Sequence, residues 1–300
     1  MSNLTYCPTC GHPSIKHGRT KTGVQRYFCH PCKKTFISDQ TPSKGFKQSD
    51  SVIKRFIGYM IDDVTLDVAA RNLSIDHKTA LYYRFMIFNA LLDYQDDIIL
   101  DGSIMIDETF ISIREKKYKI QRPDGKDIRG LSFNQLCVIT LINLRGLCTA
   151  KVSSRAMAQP EDFIRLFNNN LGKIKRFIHD GNSKQVQFMK QYDVDRINAR
   201  KSEDAELSTL IVDSLHSSLK RYLFKHAGFR LKYLQHYLNF FTYRHNQLIL
   251  ADSKNKKEQL KAKNDLITDL YKRIQKSTKQ VNYQTFLNDK GITDILEKHR

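Results

Sequence analysis

Ile211-Val212-Asp213-Ser214-Leu215-His216-Ser217-Ser218-Leu219-Lys220 is the stretch around which the chain is organised. Val212, Leu215 and Leu219 recur at the spacing of one helical face, which predicts a helix turned toward a core. Asp213 and Lys220, seven positions apart, share a different face about two turns apart. A carboxylate and an ammonium so placed suit a metal ion and a phosphate of one bound polyanion. Two apolar runs upstream also end in acids, Ile104-Met105-Ile106-Asp107 and Ile174-Lys175-Arg176-Phe177-Ile178-His179-Asp180. Three acids on three separate elements are what a two-metal phosphoryl-transfer site requires.

With 300 residues the chain exceeds one compact core, so two or three domains are expected. A formal charge of +19 points to a polyanionic partner, most simply nucleic acid. A ribosome-associated or merely soluble basic protein is the plainer alternative. Met1-Ser2-Asn3-Leu4-Thr5-Tyr6 has no apolar core, and no run approaches the roughly 18 apolar residues of a membrane span. The expected setting is therefore a reducing cytoplasm, at the nucleoid, with no membrane partner. Clustered cysteines there suggest metal rather than disulfides.

Cys7-Pro8-Thr9-Cys10 and Cys29-His30-Pro31-Cys32 are two C-x2-C pairs separated by eighteen residues. That spacing suits a four-cysteine zinc site, with Cys7, Cys10, Cys29 and Cys32 as ligands. Thr22-Gly23 is the expected turn of a hairpin over Ile15 to Phe28, so residues 1–37 read as a zinc ribbon. His12, His17 and His30 read as surface residues, and Lys16, Arg19 and Arg26 as candidate phosphate contacts or a solvated face. A Pro- and Gly-broken linker (38–48) follows. Residues 49–96 then read as three helices: Asp50 to Met60, Leu66 to Leu73 and His77 to Leu92. The tight turn Ser74-Ile75-Asp76, with Asp76 as N-cap, gives the outline of a helix-turn-helix. Its candidate DNA-facing side chains are His77, Lys78, Tyr82 and Arg84; an ordinary three-helix packing unit is the alternative.

From Ile98 the pattern changes to strands. Ile104 to Asp107, after an Asp-Gly break, is followed by Gln135 to Asn143 and Leu147 to Ser153, in which Cys137 and Cys148 read as core residues. Pro160 opens a helix to about Asn170, and Lys173 to Ile178 returns as a strand. Three strands, a helix, a fourth strand and later helices are the order of the ribonuclease-H-like fold, assigned here to 97–250. A long helix is expected over Phe229 to Leu250. The Lys-rich stretch 251–300 reads as a basic tail, amphipathic helix plus solvated surface. The expected class is thus α+β and multidomain: zinc ribbon, helix-turn-helix, mixed-sheet catalytic domain and C-terminal helices.

The chain from Cys7 to about Asn246 resembles the DDE transposases of bacterial insertion sequences, in the group with an N-terminal zinc ribbon and helix-turn-helix. Gln25-Arg26-Tyr27-Phe28-Cys29-His30-Pro31-Cys32, Ile106-Asp107-Glu108-Thr109-Phe110, His179-Asp180-Gly181 and Val212 to Lys220 carry the likeness. The resemblance implies Asp107, Asp180 and Asp213 as the three catalytic acids holding Mg²⁺ or Mn²⁺, with Lys220 gripping a phosphate. It also implies binding to double-stranded DNA at element ends and target, cleavage with strand transfer, and a homo-oligomer when active. The family's third acid is most often Glu; Asp213 is one methylene shorter, so His216 or Glu206 is expected to assist. The competing readings are a non-catalytic zinc-ribbon and helix-turn-helix DNA-binding protein (a regulator or decayed transposase) and a nuclease or resolvase that only hydrolyses.

Overall fold

The structure is a computed structural model; it describes residues 5–7, 9–20, 25–37, 48–125, 128, 130–201, 209–226, 228–277 and 283–298. Thr22-Gly23, most of the linker (38–47) and Glu206 lie outside the described residues.

Four short antiparallel strands come first, β1 (Thr5–Tyr6), β2 (Pro13–Arg19), β3 (Gln25–Cys29) and β4 (Lys34–Phe36), in that order across the sheet. Ile15 pairs with Phe28 and Lys16 with Tyr27, the register of the expected hairpin. Among its described residues only Cys7 and Cys29 are buried. A sheet this small with no apolar core of its own needs a staple, which thiolates around a metal can provide.

Helices α1 (Asp50–Ile61), α2 (Leu66–Leu73) and α3 (His77–Asn89) follow close to their expected bounds. Ile53, Phe56, Ile57, Met60 and Ile61 form the buried stripe of α1. The Asp76 carboxylate caps α3 by accepting the Lys78 amide at 2.8 Å, and Ser74 takes the left-handed conformation that lets the turn close.

The central sheet has β5 (Leu100–Ser112), β6 (Gln135–Asn143), β7 (Cys148–Arg155), β8 (Leu171–His179) and β9 (Asp195–Asn198), ordered β7-β6-β5-β8-β9. Strand β6 runs antiparallel to both neighbours, whereas β8 is parallel to β5 and β9. The Asp101-Gly102 break expected from sequence does not interrupt β5. Gly102 adopts φ +85° and the pairing with β8 shifts register there, so a bulge absorbs it. Helices α4 (Pro160–Phe167) and α5 (Ser183–Met189) cover one face; α6 (Leu210–Lys225) and α7 (Leu234–Ala251) cover the other. Strand alternation sorts the side chains. Cys137, Ile139 and Leu141 pack with α4 and α5, while Leu136, Val138 and Ile142 pack with α6 and α7.

Strand β7 lies at the sheet's edge, and its outward peptide groups are met by side-chain amides. Asn246 bonds the N–H and C=O of Cys148, Gln95 bonds those of Ala150, and Gln235 accepts the Val152 amide, all at 2.6–2.9 Å. The edge is thereby closed to further pairing.

From 251 onward an amphipathic helix plus solvated surface was expected. Helix α8 (Lys256–Lys276) is amphipathic: Leu266, Leu270, Tyr271 and Ile274 bury its apolar face in the core shared with α1, Lys263 is half-buried and pairs with Asp62 at 2.6 Å, and the other lysines are exposed. Beyond it lie α9 (Tyr283–Asn288) and α10 (Thr293–Glu297). There the Ile292 amide donates to the Lys232 carbonyl and Arg155 Nη1 donates to the Leu296 carbonyl, so the end of the chain returns to the sheet. Among the described residues no helix is long and apolar enough to cross a membrane.

Candidate metal centre

Strand alternation puts Asp107 on the α6 face of β5 and its neighbour Glu108 on the α5 face. Asp107 pairs across the sheet with Thr140, whose hydroxyl donates to the Asp107 carbonyl at 3.1 Å. Helix α6 brings Asp213 and His216, three positions apart on one stripe, against this point. One ligand atom each from Asp107, Asp213 and His216 lie within 4.8 Å of one another. His216 Nδ1 stands 3.6 Å from Asp107 Oδ2, and its Nε2 is 2.7 Å from Thr140 Oγ1. Asp107 Oδ1 accepts the Glu108 amide at 2.9 Å, and Asp213 Oδ2 accepts from the Thr209 hydroxyl at 2.8 Å.

Asp180 follows the end of β8. Its Oδ1 accepts the Asn182 amide and its Oδ2 pairs with Arg200, both at 3.0 Å. It stands outside the tight three-residue cluster yet within electrostatic reach of Asp107. Gly181 at φ +100° makes the turn behind it; a Cβ there would lie 2.9 Å from Asn198 Nδ2.

Burial pushes the Asp107 carboxyl up to about 6, with Asp180 and Asp213 adding to the rise and Arg200 opposing it. Burial likewise pushes Glu108 to about 7, helped by Asp107 and Asp180. Burial draws His216 down to about 4, with Lys220 contributing. Asp107, half-buried, and Asp213, exposed, beside a neutral imidazole form a donor set suited to a cation.

Glu108 is the residue that reading the sequence for single acids missed. Its Oε2 accepts from Gln185 at 2.7 Å, and Asn182 Nδ2 lies 3.2 and 3.3 Å from its two oxygens. It thus ties the start of α5, and with it the Asp180 turn, to β5. The signal was present as the dipeptide Asp107-Glu108, which in a strand presents one acid to each face.

Lys220 is exposed and projects from the same stripe of α6, outside the acid cluster. With Arg114, Arg221, Lys225, Glu115 and the apolar Phe110 and Phe229 it lines a groove of about 930 Å³. The expected DNA-facing set on α3 divides. His77 and Lys78 are exposed, and His77 sits 3.1 Å from Asp67. Tyr82 is half-buried, and Arg84 turns inward to donate to the Tyr237 hydroxyl at 2.6 Å. Both were expected outside; Tyr237 on α7 draws Arg84 in, and Tyr82 lies against Tyr83. In the small sheet Lys16 and Arg19 are exposed, while Arg26 is half-buried and bonds Thr35.

The sulfurs of Cys7, Cys10, Cys29 and Cys32 also fall within 4.8 Å of one another, at 4.0 Å for Cys7 and Cys32 and 3.4 Å for Cys10 and Cys29. Tetrahedral zinc with Zn–S near 2.3 Å needs sulfur separations of about 3.8 Å, so this set fits the ion. Cys10 is lowered to about 6 by the His12 amide, while hydrogen bonding with Cys10 raises Cys32 to about 12. Four sulfurs this close cannot all be thiolates without a cation among them.

Residues 99–246 match the family described as ISXO2-like transposase domain. No match was found among curated proteins. Among solved structures, the crystal structure of a pre-cleavage Mos1 transpososome is similar over 78% of this chain and 81% of that one, at 10% identity and a TM-score of 0.23. A likeness that slight carries no argument.

Proposed function

We propose, from the match of residues 99–246 to the family described as ISXO2-like transposase domain, that this chain is an insertion-sequence DDE transposase acting by metal-dependent DNA cleavage and strand transfer. The observation that carries the chemistry is the meeting of Asp107, Asp213 and His216, with Asp180 in electrostatic reach, on one face of a mixed sheet. The strand order β7-β6-β5-β8-β9 with flanking helices supports a ribonuclease-H-like reading of that sheet.

Divalent ions, when bound, supply Lewis acidity to the attacking and departing oxygens of an in-line displacement at phosphorus. Asp107, at the centre of the group, would contribute ligands toward both Asp180 and Asp213. Glu108 and Asn182 hold the Asp180 turn, and Thr209 orients the Asp213 carboxylate. In the first step a water oxygen bonds to phosphorus and the 3′-oxygen departs, leaving a 3′-hydroxyl at the element's end. In the second the oxygen of that hydroxyl bonds to a target phosphorus at the same pocket, the target strand's 3′-oxygen departs, and the hydroxyl proton is released to balance it. Lys220 would hold a phosphate as a point charge, and the basic lining of the neighbouring groove offers a path for the strand. Zinc at the four cysteines would staple the N-terminal ribbon. That ribbon and α2–α3 are the proposed DNA-binding modules, and two copies are needed to handle two ends together.

The test is cleavage of element-end DNA with Mg²⁺ or Mn²⁺ by wild type and Asp107→Ala. Cutting in the first and none in the second is expected, with strand-transfer products separating a transposase from a nuclease. Equal cutting by both, or DNA bound without cutting by either, overturns the catalytic reading and leaves a DNA-binding protein.

A further inference from the structure

Proton counting at Thr140 determines the chemistry of His216. A threonine hydroxyl has one proton to donate. Thr140 donates it to the Asp107 carbonyl at 3.1 Å, an oxygen that can only accept. The tautomer that keeps both contacts as hydrogen bonds has His216 Nε2 donating to Thr140 Oγ1 at 2.7 Å. A neutral imidazole with its proton on Nε2 has a bare lone pair on Nδ1. That lone pair faces Asp107 Oδ2 at 3.6 Å, with Asp213 completing the group. A doubly protonated ring would draw Nδ1–H onto the carboxylate at about 2.8 Å, and the observed gap is too long for that bond. The residue is only 7% exposed, so its lone pair is aimed into the pocket rather than at bulk water.

We propose that His216 Nδ1 is a direct metal ligand beside Asp107 and Asp213, and that this oxygen–oxygen–nitrogen set selects Mn²⁺ over Mg²⁺. The inference rests on the reading of this pocket as the metal centre and deepens it. Mg²⁺ favours oxygen donors and keeps its waters, whereas imidazole nitrogen suits first-row transition ions. The Thr140 contact is the outer bond that orients such a ring and settles which nitrogen is free. The nitrogen donor also answers the shortness of Asp213: a second group on the same helical stripe supplies the coordination that a longer acid would otherwise provide.

The experiment uses the full chain with zinc retained, titrated with Mn²⁺ alone and with Mg²⁺ alone. Electron spin-echo spectroscopy on ¹⁵N-histidine-labelled protein reads nitrogen coupling to bound Mn²⁺, independently of turnover. Coupling is expected in wild type and lost in His216→Gln. Mn²⁺ affinity should fall about tenfold or more while Mg²⁺ affinity changes less than about threefold, on the scale of ligand and outer-shell losses. Thr140→Val, which removes only the orienting oxygen, should weaken Mn²⁺ while keeping the coupling, a result that general misfolding would not give. Mn²⁺ bound without nitrogen coupling, or coupling that survives His216→Gln, overturns the proposal and leaves the proposed function standing. Failure of folded wild type to bind either ion overturns both.

Discussion

Replacing Asp107 with Asn should make the metal-free protein more stable at pH 8 while abolishing cleavage. The carboxyl titrates near 6 rather than at 3.8 because burial and two neighbouring acids disfavour its charge. Between those two pH values the folded chain keeps a proton that the unfolded chain releases, so stability falls as pH rises through the window. Above about 6 the penalty is complete, and below 3.8 it is absent. At about 1.4 kcal/mol per pH unit the full penalty is about 3 kcal/mol. The side chain is 20% exposed, and solvent screening reduces this to roughly 1–2 kcal/mol. Asn has nearly the same shape, keeps an oxygen to accept the Glu108 amide, and carries no charge. Chemical denaturation of both proteins at pH 4.5 and pH 8, without and with saturating Mn²⁺, reads the effect. The variant should be the more stable at pH 8 without metal, the difference should shrink at pH 4.5, and Mn²⁺ should reverse the order by stabilising wild type. A variant no more stable at pH 8, or a gain equal at both pH values, would refute the charge-burial argument.

Gly181→Ala should cost about 1–3 kcal/mol, since φ +100° strains any side chain and the added Cβ meets Asn198 at 2.9 Å; cleavage should drop with DNA binding retained, and undiminished cleavage would mean that the Asp180 turn need not hold its shape. Gln95→Leu strips the Ala150 amide on β7 of its partner and leaves the Ala150 carbonyl only the 3.3 Å bond from Gln235, which should cost roughly 1–3 kcal/mol for the orphaned amide in urea denaturation; an unchanged midpoint would show that Gln95 does not close that edge. Metal analysis should find one zinc per chain in wild type and none in Cys29→Ser, and zinc retained in the variant would argue against the four-cysteine site. DNA affinity should fall steeply with added salt, as release of counterions from phosphates requires, and a flat response would argue against backbone contacts.

Much of the secondary structure was legible. Strand β6 spans Gln135–Asn143 and α2 spans Leu66–Leu73, the bounds expected from their apolar patterns. Helix α5 and strand β9 were not legible: both are short, and Asp195-Arg196-Ile197-Asn198 has one apolar residue from which to infer a strand. The burial of one face of α8 was hidden by its lysines, whose long charged stems dominate composition without saying which side they occupy.

Taken alone, the sequence determined what depends on near neighbours: cysteine pairs close enough to share an ion, helical and strand periodicities, the +19 charge, and acids at the ends of apolar runs. Only the tertiary structure decided which of those groups meet. It joined Asp107 to Asp213 and His216, held Asp180 to one side on Arg200, gave Glu108 a structural partner in α5, and turned Arg84 inward onto Tyr237. The physical reason is that periodicity encodes the face a side chain occupies, whereas the partner it finds there is set by sheet register and helix docking between segments far apart in the chain. A hydroxyl's single proton, and hence the free nitrogen of His216, exists as information only once Thr140 and α6 are in contact.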